Sequence, residues 1–92
     1  MNNEWQSITN RPRKSGFYAV DDGVSHGTRY AAFDARTGRW SALQLELFAL
    51  AEALDECEAE LLDCDGWREL TPKEARGLTP SMLDWAEAAG RR

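Results

Sequence analysis

The chain has 92 residues, of which 42% are hydrophobic and 29% are charged, and its formal net charge at pH 7 is −5. This length and composition predict a single folded domain over residues 1–92 and argue against intrinsic disorder. The apolar runs are too short to cross a bilayer and the first residues lack the features of a signal peptide, so we expect a soluble cytoplasmic protein with no membrane partner.

The first part of the chain, about residues 5–42, predicts a small antiparallel sheet of three to four strands. Aromatic and β-branched residues favour strands at residues 5–8, 17–20, 29–33 and 39–42. Pro12 and Gly16 lie in the turn between the first two strands, and Gly38 is placed to close a tight hairpin between the last two. A sheet this small needs another element to cover one of its faces.

Residues 43–59 predict that cover, as one long amphipathic helix. Its apolar residues recur at helical spacing and place one side against the sheet. They are Leu43, Leu47, Leu50, Ala51, Leu54, Cys57 and Leu61. Residues 41–65 contain eight Asp or Glu and no Lys or Arg, so the opposite side is expected to be acidic throughout. Because Glu58 falls on the apolar side, we expect the helix to end near residue 59.

A strand or turn is expected over about residues 60–70, including an extended stretch at Trp67 and its neighbours. Thr71, Pro72 and Glu74 then form the pattern of a capping box at the start of a short helix, and a second short helix follows Pro80. These short helices occupy about residues 72–89. The predicted fold class is therefore α+β, a small antiparallel sheet with one long acidic helix packed on one face and short C-terminal helices.

Several of these landmarks together resemble a family of small phage and prophage proteins that has no assigned activity. The shared pattern is the early Trp5, the turn with Pro12, the Gly38-Arg39-Trp40 hairpin and a closing Trp67-x-x-Leu. This chain has Gly66 where the family usually has His before that Trp. The resemblance implies an origin in a mobile element, a bacterial host cytoplasm and Trp residues with structural roles.

The candidate catalytic and metal-binding residues are few. His26 is the single histidine, and its neighbour Ser25 would point away from it in an extended chain, so a Ser-His-Asp triad with Asp22 is not expected. Cys57 and Cys64 have no further Cys or His at zinc-ligand spacing, and we interpret both as reduced. We therefore expect no enzymatic activity, no metal and no cofactor.

The basic residues Arg11, Arg13 and Lys14 lie together in a turn. Such a cluster is able to contact a phosphate group, but no aromatic residues alternate with it as they do in many nucleic-acid sites. An ordinary solvated turn is the simpler interpretation.

The acidic side of the predicted helix is the candidate partner-binding site, formed by Glu52, Asp55, Glu56, Glu60 and Asp63. Like charges four residues apart, as in Glu52 and Glu56, destabilise a helix by a few tenths of a kcal/mol per pair. A solvated surface would account for these residues, but a chain that tolerates this repulsion indicates a use for the charge. The expected partner is a basic protein surface and not nucleic acid itself, whose phosphates would be repelled.

These expectations favour a small acidic binding protein of phage type. It would act as an inhibitor or decoy of a basic, nucleic-acid-binding host protein, for example in an anti-CRISPR role. The alternative is a phage structural or assembly accessory module that self-associates through an apolar patch near Trp67 and Trp85. The first hypothesis predicts a monomer and the second a homodimer.

Overall fold

One curled antiparallel sheet of five strands organises the protein, in a computed structural model that describes residues 4–23, 27–54, 56–61 and 64–89. The strands are β1 (Gln6–Ser7), β2 (Gly16–Asp21), β3 (Thr28–Asp34), β4 (Arg39–Trp40) and β5 (Gly66–Glu69). Their order across the sheet is β1-β5-β2-β3-β4. The strand nearest the C-terminus therefore lies between the first two strands of the chain.

The strand pairings follow from the local sequence in one half of the sheet and from distant contacts in the other. Strands β2 and β3 pair over their length, with Tyr18 opposite Ala31 and Val20 opposite Arg29. Strand β5 then pairs with β2 by placing Trp67 opposite Val20, and it pairs with β1 by placing the same Trp67 opposite Gln6. Strand β5 thus connects β1 to the rest of the sheet.

The turn between β3 and β4 has the chemistry that the sequence predicted. Gly38 adopts a φ of 72°, a left-handed conformation that suits glycine, and its N–H donates to the carbonyl of Asp34 at 2.8 Å. The Asp34 carboxylate accepts hydrogen bonds from the backbone N–H and the guanidinium of Arg36. The hydrogen bond from the Arg36 side chain is the main reason that the pKa of Asp34 is lowered.

Two α-helices follow β5, and they begin where the sequence predicted, at Pro72 and Pro80. Helix α1 (Pro72–Ala75) begins with a complete capping box, in which Thr71 accepts from the Glu74 N–H and Glu74 accepts from the Thr71 N–H. Helix α2 (Pro80–Ala89) is longer and packs against β2. Among the described residues, neither helix has the length and apolar character that a membrane span requires.

Side chains on the two faces of the sheet form two separate apolar clusters. On one face, Tyr18 contacts Trp67 and Trp40 with its ring edge-on, at centroid distances of 5.1 and 6.0 Å, and Phe33 also packs on Trp40. Val20, Ala31, Ile8 and Cys64 complete the buried part of this cluster, which we call the aromatic cluster. Alternation along the strands sends neighbouring residues to opposite faces, so β2 and β3 contribute to both clusters, whereas β4 and β5 contribute Trp40 and Trp67 to the aromatic cluster.

The opposite face carries a second cluster, which we call the helical cluster because the helices cover it. Phe17 packs against Trp85 of α2 at a centroid distance of 5.6 Å. The cluster's other buried members are Ala32, Leu47, Leu50, Cys57 and Met82. Cys57 and Cys64 therefore lie on opposite sides of the sheet, and neither is disulfide-bonded.

The predicted fold class is wrong in two respects. Among the described residues, the sheet has five strands and not three to four, and no long helix packs on it. The predicted acidic helix over residues 43–59 is replaced by a short 3₁₀ helix, Leu47–Glu52, followed by irregular chain. Two backbone bridges flank it, joining Gln44 to Tyr30 and Ala59 to Trp40.

Charge and side-chain chemistry explain why a regular helix does not form there. Glu46 precedes the 3₁₀ helix without a side-chain cap, and no basic residue occupies its last turn. A continuous helix would also place Glu52, Glu56 and Glu60 at repelling four-residue intervals and would direct Glu58 into the core. The irregular chain buries Cys57 while leaving Glu58 exposed. The apolar residues therefore reach the core without the helical geometry that their spacing suggested.

Candidate functional site

The candidate partner-binding surface is carried by residues 45–60, which we call the acidic segment. Its flanks are attached to the sheet by paired backbone hydrogen bonds. Gln44 and Tyr30 exchange two of them at 2.8 and 2.9 Å, and Ala59 and Trp40 exchange two at 2.7 and 2.8 Å. The segment is therefore a supported loop with fixed ends, lying along the β3 and β4 side of the sheet.

The 3₁₀ helix sorts the side chains of this segment into three rows. A 3₁₀ helix has about 3.0 residues per turn, so residues three apart lie above one another. Leu47, Leu50 and the capping residue Ala53 form the buried row. Phe48 begins a second row and Leu45 precedes the helix; both residues face solvent, Leu45 being 68% exposed and Phe48 62% exposed.

Acidic residues lie at both ends of the third row, which also contains Ala49, and in the chain that follows it. Glu46 precedes the 3₁₀ helix and Glu52 ends it, and both are exposed, as are Glu56, Glu58 and Glu60 further on. Glu52, Glu56 and Glu60 are thus accessible, as the sequence predicted, although they do not share a helix face. The other two predicted residues, Asp55 and Asp63, lie outside the described residues.

The acidic segment is not neutralised by the part of the chain that the structure describes. Within residues 4–23, 27–54, 56–61 and 64–89, the ion pairs join Arg29 to Asp22, Arg36 to Asp34 and Arg68 to Glu74. Arg39 reaches the segment, but its guanidinium donates to the backbone carbonyl of Glu58 at 3.3 Å and not to a carboxylate. The five exposed carboxylates therefore keep their charge available to a partner.

The contrast with Glu74 shows what a neutralised carboxylate looks like in this protein. Its oxygens accept hydrogen bonds from the Arg68 guanidinium at 2.7 and 3.1 Å and from the Tyr30 hydroxyl at 2.8 Å. These hydrogen bonds, chiefly that from Arg68, lower the pKa of Glu74 to about 2. Glu74 therefore stabilises the fold, whereas the carboxylates of the acidic segment have no such contacts among the described residues.

No catalytic constellation can be assembled from the described residues. His26 and its neighbour Ser25 lie outside them, so the structure says nothing about the predicted loop histidine. Within the described part of the chain, no three His, Cys, Asp or Glu side chains are grouped so that they could hold a metal ion. The absence of enzymatic activity, metal and cofactor stays a prediction from the sequence.

Sequence reasoning missed the two exposed apolar residues of the acidic segment. Leu45 and Phe48 fall outside the apolar side of the predicted helix. Their position could have indicated that these two residues are exposed. Two large apolar side chains outside a predicted buried stripe require either a second buried face or exposure. Here they are exposed, because the 3₁₀ helix turns only its row at Leu47 and Leu50 toward the sheet.

Comparison of the chain with models of protein families, with curated protein sequences and with solved structures gave no match. The resemblance to small phage proteins therefore stays a prediction based on short motifs. The glycine at position 66 has a local structural reason. A Cβ atom at Gly66 would overlap the backbone carbonyl oxygen of Gln6, so a larger residue at this position would displace β1.

Proposed function

We propose that this chain is a non-enzymatic binding protein whose acidic segment docks on a basic surface of another protein. The observation that supports this proposal is the mixed character of the segment. Five exposed carboxylates without ion pairs among the described residues accompany two exposed large apolar side chains, Leu45 and Phe48. A surface built only for solvation has no need of the apolar pair.

The two kinds of side chain would contribute differently to binding. Carboxylates at the rim of an interface mainly accelerate association and select a partner of opposite charge, and salt screens their effect. Burial of an exposed Leu or Phe side chain contributes about 1.5–3 kcal/mol, and the contribution depends much less on salt. The partner is therefore expected to present an apolar pocket surrounded by Lys and Arg.

A protein that normally holds nucleic acid offers such a basic surface. Together with the resemblance to phage proteins, this supports the more specific proposal of an inhibitor or decoy that occupies a host nucleic-acid-binding protein, as an anti-CRISPR protein does. This mode of binding does not require a long helix, because a loop attached to the sheet carries the exposed carboxylates and the apolar anchors.

The first experiment isolates the electrostatic contribution. Binding partners are captured from bacterial lysate at low salt, and the dissociation constant of the best one is measured for the wild type and for a variant with Glu52→Gln, Glu56→Gln and Glu60→Gln. We expect the variant to bind about tenfold more weakly at low salt, with a smaller difference at high salt. Asp84→Asn, an exposed acid on α2, is the control, and unchanged affinity of the triple variant would contradict the proposal.

The second experiment tests the apolar anchor. Phe48→Ala should weaken binding to the same partner by about tenfold or more, to a similar extent at low and high salt. Trp5→Ala is the matched control, because Trp5 is also exposed but precedes β1 at the other edge of the sheet. Equal losses in the two variants would indicate a nonspecific apolar effect and would exclude Phe48 as an anchor.

The alternative of self-association is less well supported. It requires an apolar patch near Trp67 and Trp85. Trp67 is buried in the aromatic cluster, where its indole N–H donates to the carbonyl of Asn10 at 2.6 Å, and Trp85 is half-buried against Phe17. The patch that the alternative needs is therefore mostly inside the protein.

A further inference from the structure

A second, chemically different site is formed by the loop between β1 and β2. Residues 10–14 of this loop border an open cleft of about 340 Å³, at the lower end of the roughly 300–1,000 Å³ range of small-molecule sites. Buried Pro12, Tyr18 and Trp67 line its floor. Exposed Arg11, Arg13 and Lys14, which we call the basic loop, line one wall.

The floor residues hold the basic loop in a fixed path. The Trp67 indole N–H donates to the carbonyl of Asn10 at 2.6 Å, and the Tyr18 hydroxyl donates to the carbonyl of Lys14 at 2.7 Å. The two aromatic rings themselves pack edge-on at a centroid distance of 5.1 Å. The loop is therefore attached at both ends to side chains of the aromatic cluster, which set the path of its backbone before any ligand arrives.

The charge of this cleft favours an anion beside the loop. None of the three cations forms an ion pair with a carboxylate in the described part of the chain. Glu4 and Glu69 line the cleft as well, and each already has an interaction within the protein. A guanidinium pairs with a phosphate through two parallel hydrogen bonds, and the two cations Arg13 and Lys14 match the double charge of a phosphate better than the single charge of a carboxylate.

We propose that this cleft binds a small phosphate-bearing molecule. The phosphate contacts Arg13 and Lys14, and the less polar part of the molecule lies over Tyr18 and Trp67. The Arg11 guanidinium instead lies against Gly38 in the turn between β3 and β4. The site is independent of the acidic segment, and it does not depend on the function proposed for that segment. Glu4 and Glu69 also line the cleft and repel an anion, so the phosphate is expected beside the cations of the basic loop.

The test is a titration with adenosine monophosphate, followed through the indole N–H resonance of Trp67 and by calorimetry. We expect saturable binding that inorganic phosphate competes away, and weaker binding of adenosine. Combining Arg13→Gln with Lys14→Gln should lower the affinity about tenfold or more. The matched control combines Lys73→Gln with Arg76→Gln, which removes the same two charges from the exposed surface at α1.

A gain of affinity provides a readout that a damaged fold cannot imitate. Glu69→Gln removes a negative charge from the lining of the cleft and should tighten binding of adenosine monophosphate severalfold. Three results would overturn the proposal: no saturable binding at millimolar nucleotide, equal affinity of the Arg13 and Lys14 double variant and the wild type, or equal losses in that variant and its control.

Discussion

At the scale of single residues, Glu74 connects more of the structure than any local motif predicts. Its carboxylate accepts from Tyr30 on β3, from Arg68 on β5 and from the backbone N–H of Thr71 at the start of α1. The Arg68 guanidinium in turn lies 5.2 Å from the ring centre of Trp5. The capping box was readable from the sequence, but the contacts to two strands were not, because they depend on the sheet order.

Replacing Glu74 with Gln should lower the free energy of unfolding by about 1–3 kcal/mol at neutral pH, because it weakens charge-assisted hydrogen bonds to a partly buried arginine. The folded pKa of about 2 lies below the ordinary value of 4.5. The stability that ionised Glu74 provides is therefore complete above about pH 4.5 and is lost as the pH falls toward 2. Urea unfolding of both proteins across this range measures the effect.

The Glu74→Gln difference should shrink as the pH falls, since protonation removes from the wild type the same charge that the substitution removes. Asp84→Asn is the control for the loss of a negative charge, and it should leave the free energy of unfolding nearly unchanged. A difference between wild type and Glu74→Gln that stayed constant from neutral pH down to pH 2 would rule out the ion pair as its cause.

At the scale of elements, local chemistry allowed most strands and both C-terminal helices to be predicted. The hairpin at Gly38, the strand after Gly16 and the capping box at Thr71 each depend on residues close together in sequence. The position of β5 between β1 and β2 could not be predicted, because it depends on pairings between residues about fifty or sixty apart, such as Val20 with Trp67. Hence the predicted strand count was too low.

The acidic segment shows the opposite error, in which a correct apolar pattern led to a wrong element. Leu47, Leu50 and Cys57 are buried as their spacing indicated, yet they reach the core from a 3₁₀ helix and an irregular stretch. Periodicity identifies the residues that must be buried, but several backbone paths satisfy the same short pattern. Repulsion between glutamates four residues apart and the absence of a side-chain cap at Glu46 disfavour the helical path here.

Gly66 provides a test of how β1 is held. A Cβ atom there would overlap the carbonyl oxygen of Gln6, so Gly66→Ala should push β1 away from β5 and lower the free energy of unfolding by about 1–3 kcal/mol. Hydrogen exchange of the β1 and β5 amides would show whether the damage is confined to that pair of strands, and thermal unfolding would give its size.

Gly16→Ala is the matched control, because a Cβ at the start of β2 would meet the Tyr18 ring at an ordinary distance of 3.8 Å. It should be neutral or stabilise the protein slightly, since alanine restricts the unfolded chain more than glycine does. Similar losses in Gly16→Ala and Gly66→Ala would show that the contact with Gln6 is not the reason for glycine at position 66.

At the scale of the whole molecule, charge is distributed so that two surfaces of opposite sign remain unneutralised among the described residues. The acidic segment presents carboxylates beside Leu45 and Phe48, and the basic loop presents cations above an aromatic floor. The net charge of −5 conceals this separation. The sequence showed both groups of charged residues, but the cleft beside the basic loop could not be predicted because it depends on the contact between Tyr18 and Trp67.

The two buried cysteines report separately on the two faces of the sheet. If the protein unfolds as one cooperative unit, a thiol-alkylating reagent in excess should label Cys57 and Cys64 at the same slow rate in the native protein. If the helices detach while the sheet persists, Cys57 should react first. Peptide mapping after timed labelling distinguishes the two outcomes, with the single variants Cys57→Ala and Cys64→Ala identifying each signal.

This placement also has a consequence for redox chemistry. With a β-sheet standing between them, the two sulfur atoms can form an internal bond only after the native structure has opened. An oxidising environment would therefore not strengthen this protein but would trap its opened forms, as misfolded rings or as covalently linked oligomers.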